Sequence, residues 1–151
     1  SHPGEWFEAG RVAYGFDGGE WLWCRLPSGR MLAYFQPKRE WVALPWGDEQ
    51  LCVTCLWGSG KPKVGEDWPR RGMHSGLWIE NVTQACAADI LREALIRVDD
   101  AELDIVLHVH DEVVVHGYHL EQLEKLMLTL PAWAEGLPLE GEGDTGTRYG
   151  K

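Results

Sequence analysis

The order of patterns along the chain predicts an α+β fold, with an antiparallel sheet covered on one face by two main helices. Three observations carry that expectation. A hairpin pattern occupies Glu20–Phe35, a long amphipathic helical pattern occupies Leu77–Glu102, and a second hairpin pattern occupies Ile105–His116. Strands and helices do not alternate strictly, which argues against a parallel βαβ sheet. The length of 151 residues suits one domain, spanning 1–151.

Each element has a local reason. In "EWLWCRLPSGRMLAYF" two aromatic-rich runs flank Pro27-Ser28-Gly29, a turn with glycine in it. From Trp46 to Gly76 the sequence reads as irregular, apart from a short strand in "QLCVTCLW"; "GSGKPKVGEDWPRRG" reads as a loop. The helix "LWIENVTQACAADILREALIRVDDAE" repeats apolar residues at Ile79, Val82, Cys86, Ile90, Ala94 and Val98, and Leu91 and Leu95 widen the stripe. Asn81, Gln84, Ala85, Ala88 and Arg92 fall on another face, polar but short-sided, where a ligand can approach closely. A second helix is expected through Leu120, Leu123, Leu126 (or Met127) and Leu130, stopped by Pro131. The tail from Leu137 can supply one more strand.

Composition narrows the function classes. Hydrophobic residues make up 44% and charged residues 25%, a globular composition. No apolar run approaches the roughly 20 residues that span a bilayer. The N-terminal "SHPGEWF" has neither the basic nor the apolar part of a secretion signal, so the chain is expected to be cytoplasmic. A net charge of −10 argues against a free-standing nucleic-acid binder, because Lys and Arg supply most non-specific affinity for phosphates. It suits metal binding, or a piece of something larger. Most of the nine tryptophans are expected in the core, with any exposed aromatic patch marking a partner. Cys52 and Cys55 form a CxxC, but on a strand they point to opposite faces, and no second pair follows.

Chemistry concentrates in "IVLHVHDEVVVH". Tight hairpin tips favour Asn-Gly or Asp-Gly, whereas this one carries Asp111 and Glu112 with His110 before them. The bland reading is two solvated acids in a turn. The functional reading is that adjacent carboxylates repel one another and a hard divalent cation relieves the repulsion. His108 and His110 share a strand face, which leaves a small metal-dependent hydrolase open as an alternative. On the long helix, Asn81 and Gln84 can donate to the acceptors common to every base pair in a minor groove, a contact that reads geometry rather than sequence.

The helix "ENVTQACAADIL" followed by "VLHVHDEVVV" resembles the C-terminal palm of family A (DNA polymerase I-like) DNA polymerases, most nearly the phage and prophage branch. His110-Asp111-Glu112 is similar to that family's motif C, about 26 residues after Gln84. The segments "WLWCRLPSGRMLAY" and "LPLEGEGDTGTRYGK" are similar to a hairpin and a C-terminal strand of phage members. The likeness implies a partial palm, with a motif C hairpin and two main helices. It implies that Asp111 ligates catalytic Mg²⁺, that Glu112 is a weaker or outer-sphere contributor, that His110 positions the primer 3′ end, and that Gln84 and Asn81 touch the minor groove. The implied partners are primer–template DNA and dNTP in the complete enzyme, together with an upstream polymerase fragment, in a bacterial or phage-infected cell. Motif A's second aspartate and motif B's Lys and Tyr have no counterpart in this sequence, and Ser75-Gly76-Leu77 stands where phage members carry a Gly-Gly-basic stretch. The resemblance therefore implies a chain that is catalytically incomplete alone. A polymerase-derived module that binds DNA or a protein without catalysis is the other alternative.

Overall fold

The computed structural model describes residues 4–43, 47–57 and 67–149. The chain is α+β and forms two compact units, Ser1–Gln84 and Ala85–Lys151. Residues 58–66, most of the expected loop, lie outside the described residues, as do residues 1–3, 44–46 and 150–151.

In the first unit six strands form one sheet in chain order: β1 (Trp6–Ala9), β2 (Val12–Phe16), β3 (Trp21–Arg25), β4 (Met31–Ala43), β5 (Glu49–Leu56) and β6 (Arg70–Met73). Every neighbouring pair is antiparallel. Turn chemistry explains the early connections. Ala9 pairs with Val12 across a two-residue turn whose first residue, Gly10, sits at φ 65°. Asp17 closes the next loop by accepting from the backbone N–H of Gly19 at 2.8 Å and Trp21 at 3.3 Å. These donors hold its carboxyl below the usual range. The Pro27-Ser28-Gly29 turn falls where the sequence indicates. Gly29 sits at φ 85° and donates to the Leu26 carbonyl at 2.9 Å, and Leu26 donates to Arg30 at 2.8 Å. This is a type I turn closed by a glycine bulge.

Two expectations need correcting. β4 does not stop near Phe35 but continues to Ala43, and Arg70–Met73 is a strand rather than loop. Both depend on one irregularity. β4 changes register against β5 between Phe35 and Lys38, at Gln36 with φ 47° and at Pro37, which has no N–H to give. The Arg70 guanidinium on β6 fills that break. It donates to the carbonyls of Gln36 and Thr54 and to the Thr54 hydroxyl, and lies 3.5 Å from Glu40. Thr54, only 3% exposed, in turn donates to Glu40 at 2.6 Å. One planar fork from β6 thus satisfies polar groups on two other strands, β4 and β5, which a Lys ammonium cannot do.

The register sorts the sheet's two faces. Tyr14 pairs with Cys24 on one face, and Tyr34 lies on the same side two residues beyond Leu32, the partner of Cys24. Trp78, from the start of the long helix α1 (Ser75–Asp100), packs edge-on against Tyr14 at 5.4 Å and Tyr34 at 4.7 Å. Burial of Cys24, Tyr34, Cys55, Met73 and Leu77 makes this face the core of the unit. The opposite face carries Trp6, Trp21, Trp23, Met31 and Phe35. Trp21 stacks at a tilt on Phe35 at 4.7 Å, and Arg25 lies over Trp6 at 5.2 Å. Trp6 can lie against the sheet because position 15 is glycine; a Cβ there would come within 2.8 Å of the indole. The expectation of a tryptophan-rich core is thus overturned: no described tryptophan is buried, and Trp41 is 67% exposed. Indoles are large and rarely vanish completely from solvent, and here half of a sheet face is built from them.

In the second unit α1 buries Ile90, Ala94 and Val98, as the periodicity predicts, but also Asp89, which the apolar pattern does not reveal. Ile79, assigned to the same stripe, is 66% exposed and belongs to the first unit. The helix ends in a Schellman arrangement: Leu103 donates to Val98, Glu102 donates to Asp99, and Glu102 takes φ 57° in the position glycine usually fills. A hairpin follows, β7 (Ile105–Val109) and β8 (Glu112–Val115), forming a separate two-stranded sheet. Helix α2 (Leu120–Leu128) stops two residues earlier than its apolar repeat: its C-cap Thr129 is already extended, and Leu130 precedes a proline, which disfavours helical backbone there. Arg97 of α1 caps its end, donating to the Leu126 carbonyl at 3.2 Å and to Thr129 at 2.6 Å. The tail from Leu137 is not a strand. It is rich in glycine, which weakens strand pairing, and it runs along α2 instead. Gly141 meets Leu128, Gly143 lies against Leu120, and the Gly143 N–H donates to Glu124 at 2.9 Å. No described helix is long and apolar enough to cross a membrane.

Two outcomes are expected. Arg70→Met, which keeps the stem but leaves Thr54 and the bulge carbonyl without donors, lowers unfolding free energy by about 2–4 kcal/mol in urea melts. Burial pushes the Cys55 thiol up from 9.0 to about 11. The unfolded thiol ionises first, so stability is intact below pH 9 and falls by about 2–3 kcal/mol as pH rises through 11. Melts of Cys55→Ala between those limits should lose that component of the slope.

Candidate functional site

The hairpin that carries the acidic pair turns on two residues, because Val109 pairs with Glu112. The tip is therefore His110-Asp111, and Glu112 is the first residue of β8. Such a turn needs positive φ at its first central residue, and with no glycine available His110 adopts φ 53°. Histidine tolerates the left-handed region better than most residues, though at a cost of about 1 kcal/mol or more against glycine. Below the tip, Val106 bulges out of register between Ile105 and Leu107. The strands are held by β-branched residues, with Val113, Val114 and Val115 all half-buried.

This geometry separates the two carboxylates. Asp111 is exposed in the turn, and Glu112 is half-buried on the strand, on the same face as Val109 opposite it. Glu112 accepts a hydrogen bond from the Tyr149 hydroxyl at 2.8 Å. His108 is exposed on β7 and His110 sits in the turn. No group of three or more His, Cys, Asp or Glu side chains is gathered in metal-binding fashion among the described residues. The donor set at the tip is thus two adjacent hard carboxylates, which suits a cation that takes its other ligands from water and phosphate. It offers nothing like the enclosed nitrogen and sulfur sets that hold zinc, and the hydrolase alternative gains no support.

Asn81 and Gln84 lie on α1 in the first unit, whereas His110, Asp111 and Glu112 lie in the second. Asn81 is half-buried, with its amide 3.4 Å from the Tyr34 hydroxyl, a long contact that ties it to the sheet. Burial raises the Tyr34 hydroxyl above its ordinary value, and the Asn81 donation opposes that rise. Gln84 is exposed and donates to Glu80 one turn earlier at 3.3 Å. Ser75-Gly76-Leu77 forms the first turn of α1, and the His74 ring nitrogen accepts from the Leu77 N–H at 3.3 Å. The residue that sequence reasoning missed is Tyr149. It lies 37 positions from its partner in a glycine-rich tail, where neither period nor motif points to it.

The chain is related to a DNA polymerase. That relative, the DNA polymerase of Bacillus phage SP02, is 38% identical over 134 residues, covering 86% of this chain. The chain spans about one fifth of its length, 20%. No protein-family profile matches the chain. No solved structure matches it either.

The strained turn sets an expected outcome. His110→Gly folds at least as stably as the parent chain, and His110→Val is about 1–2 kcal/mol less stable than the glycine variant. Thermal unfolding of the three chains checks the order.

Proposed function

We propose that the chain is the C-terminal palm segment of a DNA-directed DNA polymerase of the family A type, with His110-Asp111-Glu112 as its motif C. The observation that carries the reading is the 38% identity to a phage DNA polymerase across most of this chain. The helix-then-hairpin order and the exposed acidic turn support it.

In this reading the reaction is attack of a primer 3′-hydroxyl on the α-phosphate of a dNTP, with pyrophosphate leaving. Asp111 and Glu112 would hold Mg²⁺, which when bound supplies positive charge to the reacting phosphate oxygens. The rigid turn aims Asp111 outward, and the half-buried strand position restrains Glu112. His110 orients the primer end from the first turn position. Gln84 donates to minor-groove acceptors, and Asn81 does so from a side chain steadied near Tyr34. Two metals need bridging carboxylates from more than one strand, so the motif C pair is half of the required set.

The 151-residue chain alone should therefore extend no primer. Mixed with a separately expressed upstream segment carrying motifs A and B, it should restore extension, and Asp111→Asn should abolish that activity. Incorporation of labelled dNTP by the chain alone, or undiminished activity of Asp111→Asn in the mixture, would overturn the assignment. The exposed indoles opposite the core of the sheet favour a second reading, a polymerase-derived module that binds a partner without catalysis.

A further inference from the structure

The face of the six-stranded sheet opposite its core holds a cleft of about 410 Å³, enough for a small organic molecule. Its lining includes Trp6, Phe16, Trp23 and Met31, with Gly15 between the two tryptophans in register. Gly15 leaves bare backbone there, and Trp6 lies over it because no side chain intervenes. Asp17 belongs to the same lining and, among the described residues there, is the one that carries a charge. Its carboxylate already accepts from the backbone N–H groups of Gly19 at 2.8 Å and Trp21 at 3.3 Å, and from the Trp23 side chain. Those bonds favour its ionised form and fix its place. What it offers a ligand is therefore negative charge rather than a spare acceptor.

Each feature selects the same chemistry. Indole rings attract cations through their quadrupole, and methionine adds a polarisable apolar contact. Arg25 already lies over Trp6 at 5.2 Å, its own charge compensated by Glu8 at 3.1 Å. A ligand rich in N–H donors needs lone pairs that Asp17 has largely committed, whereas a quaternary ammonium needs none. The chain's net charge of −10 favours a cation over an anion and disfavours a ligand bearing phosphate. We propose that this cleft binds a small, unphosphorylated quaternary ammonium of the choline type, its methylated head against the indoles and beside Asp17. The site is independent of the polymerase reading and of the acidic hairpin.

The test is a choline chloride titration of the full chain at constant ionic strength, read from the assigned indole N–H signals. Trp6 and Trp23 should shift saturably, with a midpoint on the order of millimolar, while Trp41, which is outside the cleft, should not. The neutral carbon isostere of choline, with a tert-butyl group in place of trimethylammonium, should bind about fivefold more weakly. Asp17→Asn keeps an acceptor for the two backbone N–H groups and should raise the choline midpoint about two- to fivefold. Trp6→Leu, at an exposed position that stays apolar, should raise it about fivefold. Absence of a saturable shift at Trp6 and Trp23, or equal shifts at every indole, overturns the proposal. So do equal midpoints for choline and its isostere, a comparison that needs no variant, and an unchanged midpoint in either variant. Phosphocholine binding more tightly than choline also overturns it and makes a phosphorylated headgroup the ligand.

Discussion

The sheet of the first unit depends on how one arginine repairs a broken ladder. β4 pairs with β3 up to Phe35, and its ladder with β5 breaks between Phe35 and Lys38, where the residues between cannot pair normally because one has positive φ and the next is proline. An unsatisfied carbonyl at such a point costs about 1–3 kcal/mol when shielded from water. Arg70 meets the need by reaching from β6 to the Gln36 carbonyl while also holding Thr54. Because the donor comes from the sixth strand and the acceptors from the fourth and fifth, the order of the last three strands and the register of the bulge are fixed together. The packing of Tyr34, one residue before Phe35, and therefore the seat of Trp78, follows from that register.

What the sequence discloses and what it hides follow from where the information sits. The Glu20–Phe35 hairpin is legible because Pro27 and Gly29 each meet a local backbone demand. The long helix is legible through Ile90, Ala94 and Val98, which are buried at the spacing that their period requires. By contrast "RRGM" gives no local sign of a strand. Arg70 is there to bond across strands, and Gly72 because a Cβ would press on Val42 at 3.1 Å. Such reasons lie in residues far along the chain. The tail misleads in the other direction: its leucines suggest pairing, yet Gly141 and Gly143 lie against α2 and the Gly143 N–H donates to it. Asp89 shows the limit of periodicity, which ranks positions by apolarity and so passes over a buried acid.

The acidic tip is legible as residue types but not as geometry. Its adjacent carboxylates, flanked by β-branched runs, stand out from ordinary turn chemistry. The two-residue connection places Asp111 in the turn and Glu112 on the strand, and puts the backbone strain on His110. Strain of this kind persists where the surrounding structure over-determines it, and the valines of β8 supply that restraint. Tyr149 completes the local arrangement from the far end of the unit, in a way no short motif could encode.

The first strand leads elsewhere. β1 ends the sheet, bonded on one side to β2, and among the described residues its other edge faces outward with Phe7 69% exposed. Open edges bearing large apolar side chains template pairing with further copies, the route to disordered precipitates. Glu5 and Glu8 flank and interrupt that stretch, and the chain carries ten excess negative charges that repel like molecules. The same acidity that weakens attraction to phosphate thus protects the edge. Its protection is electrostatic, so it fades as salt shortens the Debye length from about 10 Å at 0.1 M to about 3 Å at 1 M. Colloidal behaviour in concentrated salt is accordingly where this strand asserts itself.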